Sequence, residues 1–308
     1  MKAEEKKTIN RRIADGNLWI GFSEDKKNLT KFTRDYDYEV LETEDAVGRA
    51  MLDELTRYAS EKEGDIVIIL LGGRGAQAMY RLINALSQTD EIDHLLARLH
   101  VFTQDALAPM RMDNGLSFVR DFERLLGDKF FEKVKSFTPM HTETEDVEGE
   151  LVKYLEKLAS LGGIDIFFLG LGPEANAASH LAYIKPNSGA RISDFAGVIP
   201  ISTSILEHHI KKFKVGGSQI SEADEIECRA ATHILTLGPA AILNAKKIVQ
   251  SIVDASTAPG KSESFRRVME TTFSDDTGEI EKQLDENPGL WVRFHQNTRT
   301  FILPDVLK

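Results

Sequence analysis

The sequence predicts an α/β chain, a three-layer α/β/α arrangement on a mostly parallel, Rossmann-like sheet. Two observations carry this. Short apolar runs rich in Ile, Val, Leu and Phe recur along the chain, and amphipathic stretches of helical spacing lie between them. Strands alternating with helices give a parallel sheet covered by helices. Ligands of such sheets sit beyond the carboxyl ends of the strands. The loops after residues 71, 102, 171 and 237 are therefore the places to search.

In chain order, residues 1–35 read as an appendage to a single α/β domain over 36–308. The appendage contains Trp19, Ile20 and Phe22, apolar enough to pack on the domain or on another subunit, so a homo-oligomer is compatible with the sequence. "TEDAVGRAMLDELTRYASEK" (43–62) has helical spacing, Thr43 as N-cap and acidic residues in its first turn. "DIVIILLGG" (65–73) and "IDIFFLGLG" (164–172) are continuously apolar, as strands covered on both faces are. "RLHVFTQD" (98–105) and "THILTLGPA" (232–240) are further strands, with "FAGVIPIS" (195–202) and "TRTFILPD" (298–305) as weaker ones. Helices are expected over 76–88, 114–131, 147–163 and 239–253, with Gly162 and Gly163 as stop signals. Residues 207–227 form a charged, Gly-containing insertion of the kind that makes lids or interfaces, and 275–287 a solvated acidic helix or loop.

The bulk composition narrows the function. The chain has 308 residues, 42% hydrophobic and 28% charged, which suits a globular protein with a sizeable core. Its net charge of -11 repels phosphate backbones and argues against nucleic acid, though a local pocket can still hold a small phosphorylated ligand. A single cysteine, Cys228, excludes an intramolecular disulfide and a cysteine-based zinc cage. A cytoplasmic address fits this and the charged N-terminus, and no run approaches the length of a membrane span. No His, Asp and Glu cluster has metal spacing, and His208 and His209 read as surface residues.

Three loops carry the chemistry. In "LLGGRGAQAMY" (70–80), Gly72, Gly73 and Gly75 let the backbone approach an anion, and Arg74 adds a bidentate donor. The loop is neither a Walker loop nor a complete dinucleotide fingerprint, and a plain tight turn is an equal reading. In "FTQDALAP" (102–109), Asp105 stands just past a strand end as a proton-abstracting base or a turn aspartate. In "GLGPEANAASHL" (170–181), Glu174 is a candidate base, His180 an acid or base near neutral pH, and Asn176 a hydrogen-bonding group that exchanges no proton. The alternative makes Glu174 and His180 ordinary helix residues.

These loops, in this order, resemble the family of glucosamine-6-phosphate deaminases (isomerases) and 6-phosphogluconolactonases over roughly residues 37–305. The family's Gly-Gly-Ser-Thr-Pro phosphate loop reads "GGRGAQAMY", its aspartate after the second strand is Asp105, and its Ser-Tyr or Ser-Asn helix start is "NGLSF". Its Gly-x-Gly-x-Asp-Gly-His is "GLGPEAN". Further along, "THILTLGPAAILNAKKI", "GKSESFRRVME" and "LWVRFHQNTRTFILPD", with Leu290, His295 and Asp305, continue the series. The resemblance implies a sugar-phosphate isomerase type of fold. It also implies a phosphorylated sugar or sugar acid as ligand and no metal or organic cofactor.

The departures bear on the chemistry. Ser-Thr-Pro is Arg74-Gly75-Ala76, so two hydroxyl donors are lost. Asp-Gly-His is Glu174-Ala175-Asn176, and asparagine cannot perform the family histidine's proton transfer, a loss worth about 10²–10⁴ in rate. The family's phosphate-binding lysine position is Glu263, with Lys261 two residues away, and Arg191 loosely matches a phosphate-binding arginine of the deaminase branch. The resemblance thus implies catalytic roles for Asp105, Glu174, Asn176 and His180, and phosphate binding by Gly72, Gly73, Arg74, Gly75, Lys261 and Arg191. The expected reaction is aldose–ketose isomerisation with Asp105 as base. Lactone hydrolysis is the runner-up, and an impaired sugar-phosphate-binding or regulatory protein the third reading.

Overall fold

A computed structural model describes residues 9–22 and 36–308. The predicted parallel sheet is present, with seven strands, all parallel. Across the sheet they run Tyr38–Val40, Thr298–Ile302, Lys247–Ile252, Ile166–Leu169, Ile66–Leu70, Leu99–Thr103 and Ser136–Thr138. Alternate residues feed two apolar cores. Val67, Ile69, Phe167 and Leu169 join one, and Ile66, Ile68, Ile166 and Phe168 the other. Burial on both faces is why these runs are continuously apolar instead of alternating.

A second sheet has five strands, all antiparallel, in the order Ile9–Ala14, Asn17–Phe22, Asp194–Pro200, His233–Leu237, Asp105–Ala108. The expected strand in 232–240 therefore exists, but in this antiparallel layer. Trp19 is fully buried here and donates its indole N–H to the Ser188 carbonyl at 3.0 Å. A Cβ on Gly197 would strike the Trp19 ring, so only glycine lets the strands pair at this point. The residues 1–8 and 23–35 of the proposed appendage lie outside the described residues.

One predicted helix is corrected. The stretch 239–253 is helical only over Pro239–Asn244. Ala245 then turns to φ −57, ψ 146, and Lys247–Ile252 becomes a strand between Thr298–Ile302 and Ile166–Leu169. β-Branched Ile248, Val249 and Ile252 fit this pleated position better than a helix. The insertion over 207–227 folds into helices Thr203–Val215 and Glu222–Arg229, the second opened by a Ser221–Asp224 capping box. No helix among the described residues is long and apolar enough to cross a membrane.

Candidate active site

The carboxyl ends of Ile66–Leu70, Leu99–Thr103, Ile166–Leu169 and Lys247–Ile252 converge on one cavity that opens to solvent. It is lined by Gly72, Arg74, Gly75, Gln104, Asp105, His180, Tyr183, Lys212 and Lys261, among others. The chain passes from the parallel to the antiparallel sheet at Gln104, between Leu99–Thr103 and Asp105–Ala108. Asp105 thus stands where the two sheets part. The loop after 237 does not line this cavity, because its strand belongs to the other sheet; Asp254, after Lys247–Ile252, takes that place.

Asp105 is held rigidly. Tyr154 donates its hydroxyl to the Thr103 carbonyl at 2.6 Å, and the Gln104 carbonyl accepts the Leu237 N–H at 2.9 Å. Its carboxyl is buried, and burial raises its pKa from 3.8 to about 7; the Lys212 ammonium and the Gln104 amide oppose part of that rise. A carboxylate with a pKa near neutrality is matched to general-base work.

The glycine loop is a short turn, Arg74–Ala76, feeding helix Gln77–Ser87. Gly73 has φ +83, a conformation that suits glycine, and a Cβ there would collide with Lys212. Tyr80 and Ser251 hold the loop by donating to the carbonyls of Leu71 and Gly75, each at 2.8 Å. Arg74 turns toward Glu44 and pairs with it. Lys261 pairs with Asp254 at 2.5 Å. Lys212 has no carboxylate within ion-pair distance among the described residues. Desolvation lowers its pKa, and nearby Asp105 pulls it back up.

Opposite lies the rebuilt loop. Gly172–Pro173 and Ser179–His180 form a small antiparallel pair, with His180 opposite Gly172. A Cβ on Gly172 would overlap the His180 ring, so glycine is required. The hairpin folds His180 back onto Glu174, whose Oε1 lies 2.8 Å from Nδ1. A carboxylate accepts at Nδ1–H, which leaves Nε2 as the proton-exchanging nitrogen. The ring stacks on Tyr183 at 5.6 Å between centroids. Tyr183 donates to His209 Nδ1 at 3.2 Å, and His209 Nε2 donates to the Leu116 carbonyl at 2.8 Å.

Asn176 is not brought to the cavity. It is exposed at the tip of the hairpin with φ 59, a left-handed conformation that asparagine tolerates, and its carbonyl accepts from Arg267 at 2.6 Å. Arg191 is also elsewhere. It is exposed, lines a separate cavity with Arg12 and Trp19, and its N–H donates to Asp194 at 2.7 Å. Glu263 is exposed and lines a third cavity, so no carboxylate at that position faces the site.

Sequence reasoning missed Lys212, Gln104, Tyr183 and Asp254. It also placed His209 on the surface, whereas His209 is fully buried, and burial lowers its pKa to about 3. Successive helix residues point about 100° apart, so His208 stays at the cavity rim while His209 enters the core. Ala182 (φ 50) and Asp254 (φ 67) both line the cavity in the left-handed region. Non-glycine residues held there store strain, and such positions gather at ligand sites.

No family model matches the chain. Among solved structures, a monomeric glucosamine-6-phosphate deaminase shares the fold at TM-score 0.68 and 19% identity, over 89% of this chain and 100% of that one. A 6-phosphogluconolactonase from Trypanosoma brucei does so at TM-score 0.63 and 16% identity, over 90% and 98%. The fold, with its cavity at the strand ends, is that of the sugar-phosphate isomerase type of α/β protein. Among curated relatives, glucosamine-6-phosphate deaminase 1 of Bacillus subtilis is 24% identical over 226 residues, 72% of this chain and 82% of the relative. The deaminase of Clostridium perfringens is 22% identical over 249 residues, 80% and 89%. The chain is thus similar in sequence to glucosamine-6-phosphate deaminases and shares its fold with them and with 6-phosphogluconolactonases.

Proposed function

We propose that this chain is an enzyme acting on a phosphorylated sugar, catalysing aldose–ketose isomerisation, with or without ammonia release. One observation carries the reading: a single cavity collects the Asp105 carboxylate, a His180 ring backed by Glu174, and a glycine loop beside Lys212. Phosphate binds at the 72–75 loop, whose glycine-rich backbone lets an anion approach, and Lys212 neutralises its charge. Lys261 adds positive charge, tempered by Asp254. Arg74, paired with Glu44, guards the rim.

Asp105 takes the proton from the carbon next to the carbonyl. The electron pair of that C–H bond forms the double bond of an enediol or enolamine while the carbonyl oxygen takes up a proton. The proton held by Asp105 is then returned to the former carbonyl carbon as the second carbon becomes a ketone or, for an amine, a ketimine that water hydrolyses to release ammonia. His180 moves the proton of the ring oxygen through Nε2, and Glu174 stabilises the imidazolium that forms. The family's histidine position is Asn176 here, yet the same chemistry is available four residues further on, because the hairpin carries His180 back beside Gly172.

Incubation with glucosamine 6-phosphate, following ammonia and ketose phosphate, tests this directly, with 6-phosphogluconolactone as the control substrate. Turnover of the aminosugar phosphate is expected. Hydrolysis of the lactone alone overturns the isomerase reading. Tight sugar-phosphate binding in a thermal-shift assay without turnover of either compound reassigns the chain as a binding protein.

A further inference from the structure

Gln104 is buried, at 4% exposure, and lines the cavity beside the catalytic carboxylate. Its backbone is fixed at the crossing between the two sheets by the Leu237 N–H. Its side-chain amide stands beside the Asp105 carboxyl and favours the ionised form, as a donor group does. A carboxylate can only accept from the amide nitrogen, so this contact sets which way the amide faces. The other end, Oε1, is buried and has no hydrogen-bond partner among the described residues. Turning the amide over would set Oε1 against the Asp105 carboxylate, two acceptors face to face, so the electrostatics oppose that way of satisfying Oε1. A buried acceptor left open in this way is costly, and a ligand that brings a donor to it recovers the loss.

Resting on the sugar-phosphate reading of this cavity, we infer that Gln104 is a specificity-determining residue. Its open Oε1 selects ligands that carry a hydrogen-bond donor, a hydroxyl or an ammonium, on or beside the carbon over which Asp105 stands. Gln104 and Asp105 both line this one cavity, so the two side chains meet neighbouring substituents of one ligand. A site built around a buried acceptor rejects the analogue lacking the donor, because the acceptor then stays unpaired.

Calorimetric titration with reduced, open-chain ligands tests this without turnover, since an alditol has no carbonyl to isomerise. The three are glucitol 6-phosphate, 2-amino-2-deoxyglucitol 6-phosphate and 2-deoxyglucitol 6-phosphate. The native protein is expected to bind the first two about tenfold or more tighter than the third. The stronger of the two identifies hydroxyl or ammonium as the preferred donor. In Gln104→Leu the discrimination falls to about twofold, while affinity for the 2-deoxy compound holds or improves, a change of ratio that general loosening would not produce. Gln104→Met serves as the second variant should the leucine protein fail to fold. Equal binding of all three by the native protein overturns the role of Gln104 and leaves the sugar-phosphate site standing. Binding of none overturns the site and the inference together.

Discussion

The two walls of the cavity reach their chemistry by different routes. On the Asp105 side, the proposed base follows the strand Leu99–Thr103 directly, as the sequence pattern indicates. On the facing side, Asn176, where the resemblance puts a histidine, is an exposed turn residue, and the imidazole at the cavity is that of His180, folded back over Gly172 onto Glu174. The difference teaches that a backbone position and a chemical role can separate. A carboxylate at the junction of two sheets is fixed by the strands on either side of it. A hairpin can deliver the same group from another residue of its own loop.

The sharpest way to break this comparison is Asp105→Asn. Turnover should fall by about 10²–10⁴-fold while sugar-phosphate binding persists. The same change should stabilise the fold. The pKa of Asp105 is raised from 3.8 to about 7, so the native state favours its proton. Stability from this group is greatest below about pH 4 and declines as pH rises through about 7. The melting temperature of Asp105→Asn at pH 8 should therefore exceed that of the native protein, the trade-off expected of a catalytic group. A variant with full activity removes Asp105 from the role of base.

On the facing wall, His180→Gln should lower kcat by about 10²-fold and Glu174→Gln by less, since Glu174 acts through the ring. Comparable losses in Glu174→Gln and His180→Gln would make the carboxylate the proton carrier. Lys212→Met comes next. It should raise KM for a sugar phosphate about tenfold, the loss of one charge-assisted contact. The kcat/KM of the native protein should fall below about pH 7 as Asp105 takes up its proton. Without the Lys212 ammonium the pKa of Asp105 rises further, so this acidic limb moves to higher pH. The smallest effect is the most discriminating. Asn176→His restores the family's residue type, yet its side chain lies outside the cavity, so kcat should change by no more than about twofold. A large gain would return the role to position 176.

Much of this was legible in the sequence, for identifiable reasons. The strand ending before Asp105 and the glycine run at 72–75 announce themselves through local pattern. So does Thr43, which caps its helix by accepting from Ala46 at 3.1 Å. The strand Lys247–Ile252 was hidden because a short apolar run after a true helix fits either period, and only its slot in the sheet decides. Lys212 and Gln104 were hidden for another reason. Lys212 reaches Gly73 only through tertiary folding of its helix, and the importance of Gln104 lies in an atom left without a partner. No spacing rule reports either.

The strand that begins with Asp105 is the last of the antiparallel layer, and the hairpin Ile9–Ala14 and Asn17–Phe22 forms the opposite margin. The Asp105 carboxylate and this hairpin therefore ride on one platform, wedged in place by Trp19 against Gly197. One unbroken ladder of paired strands, through Asp194–Pro200 and His233–Leu237, joins that margin to the carboxylate.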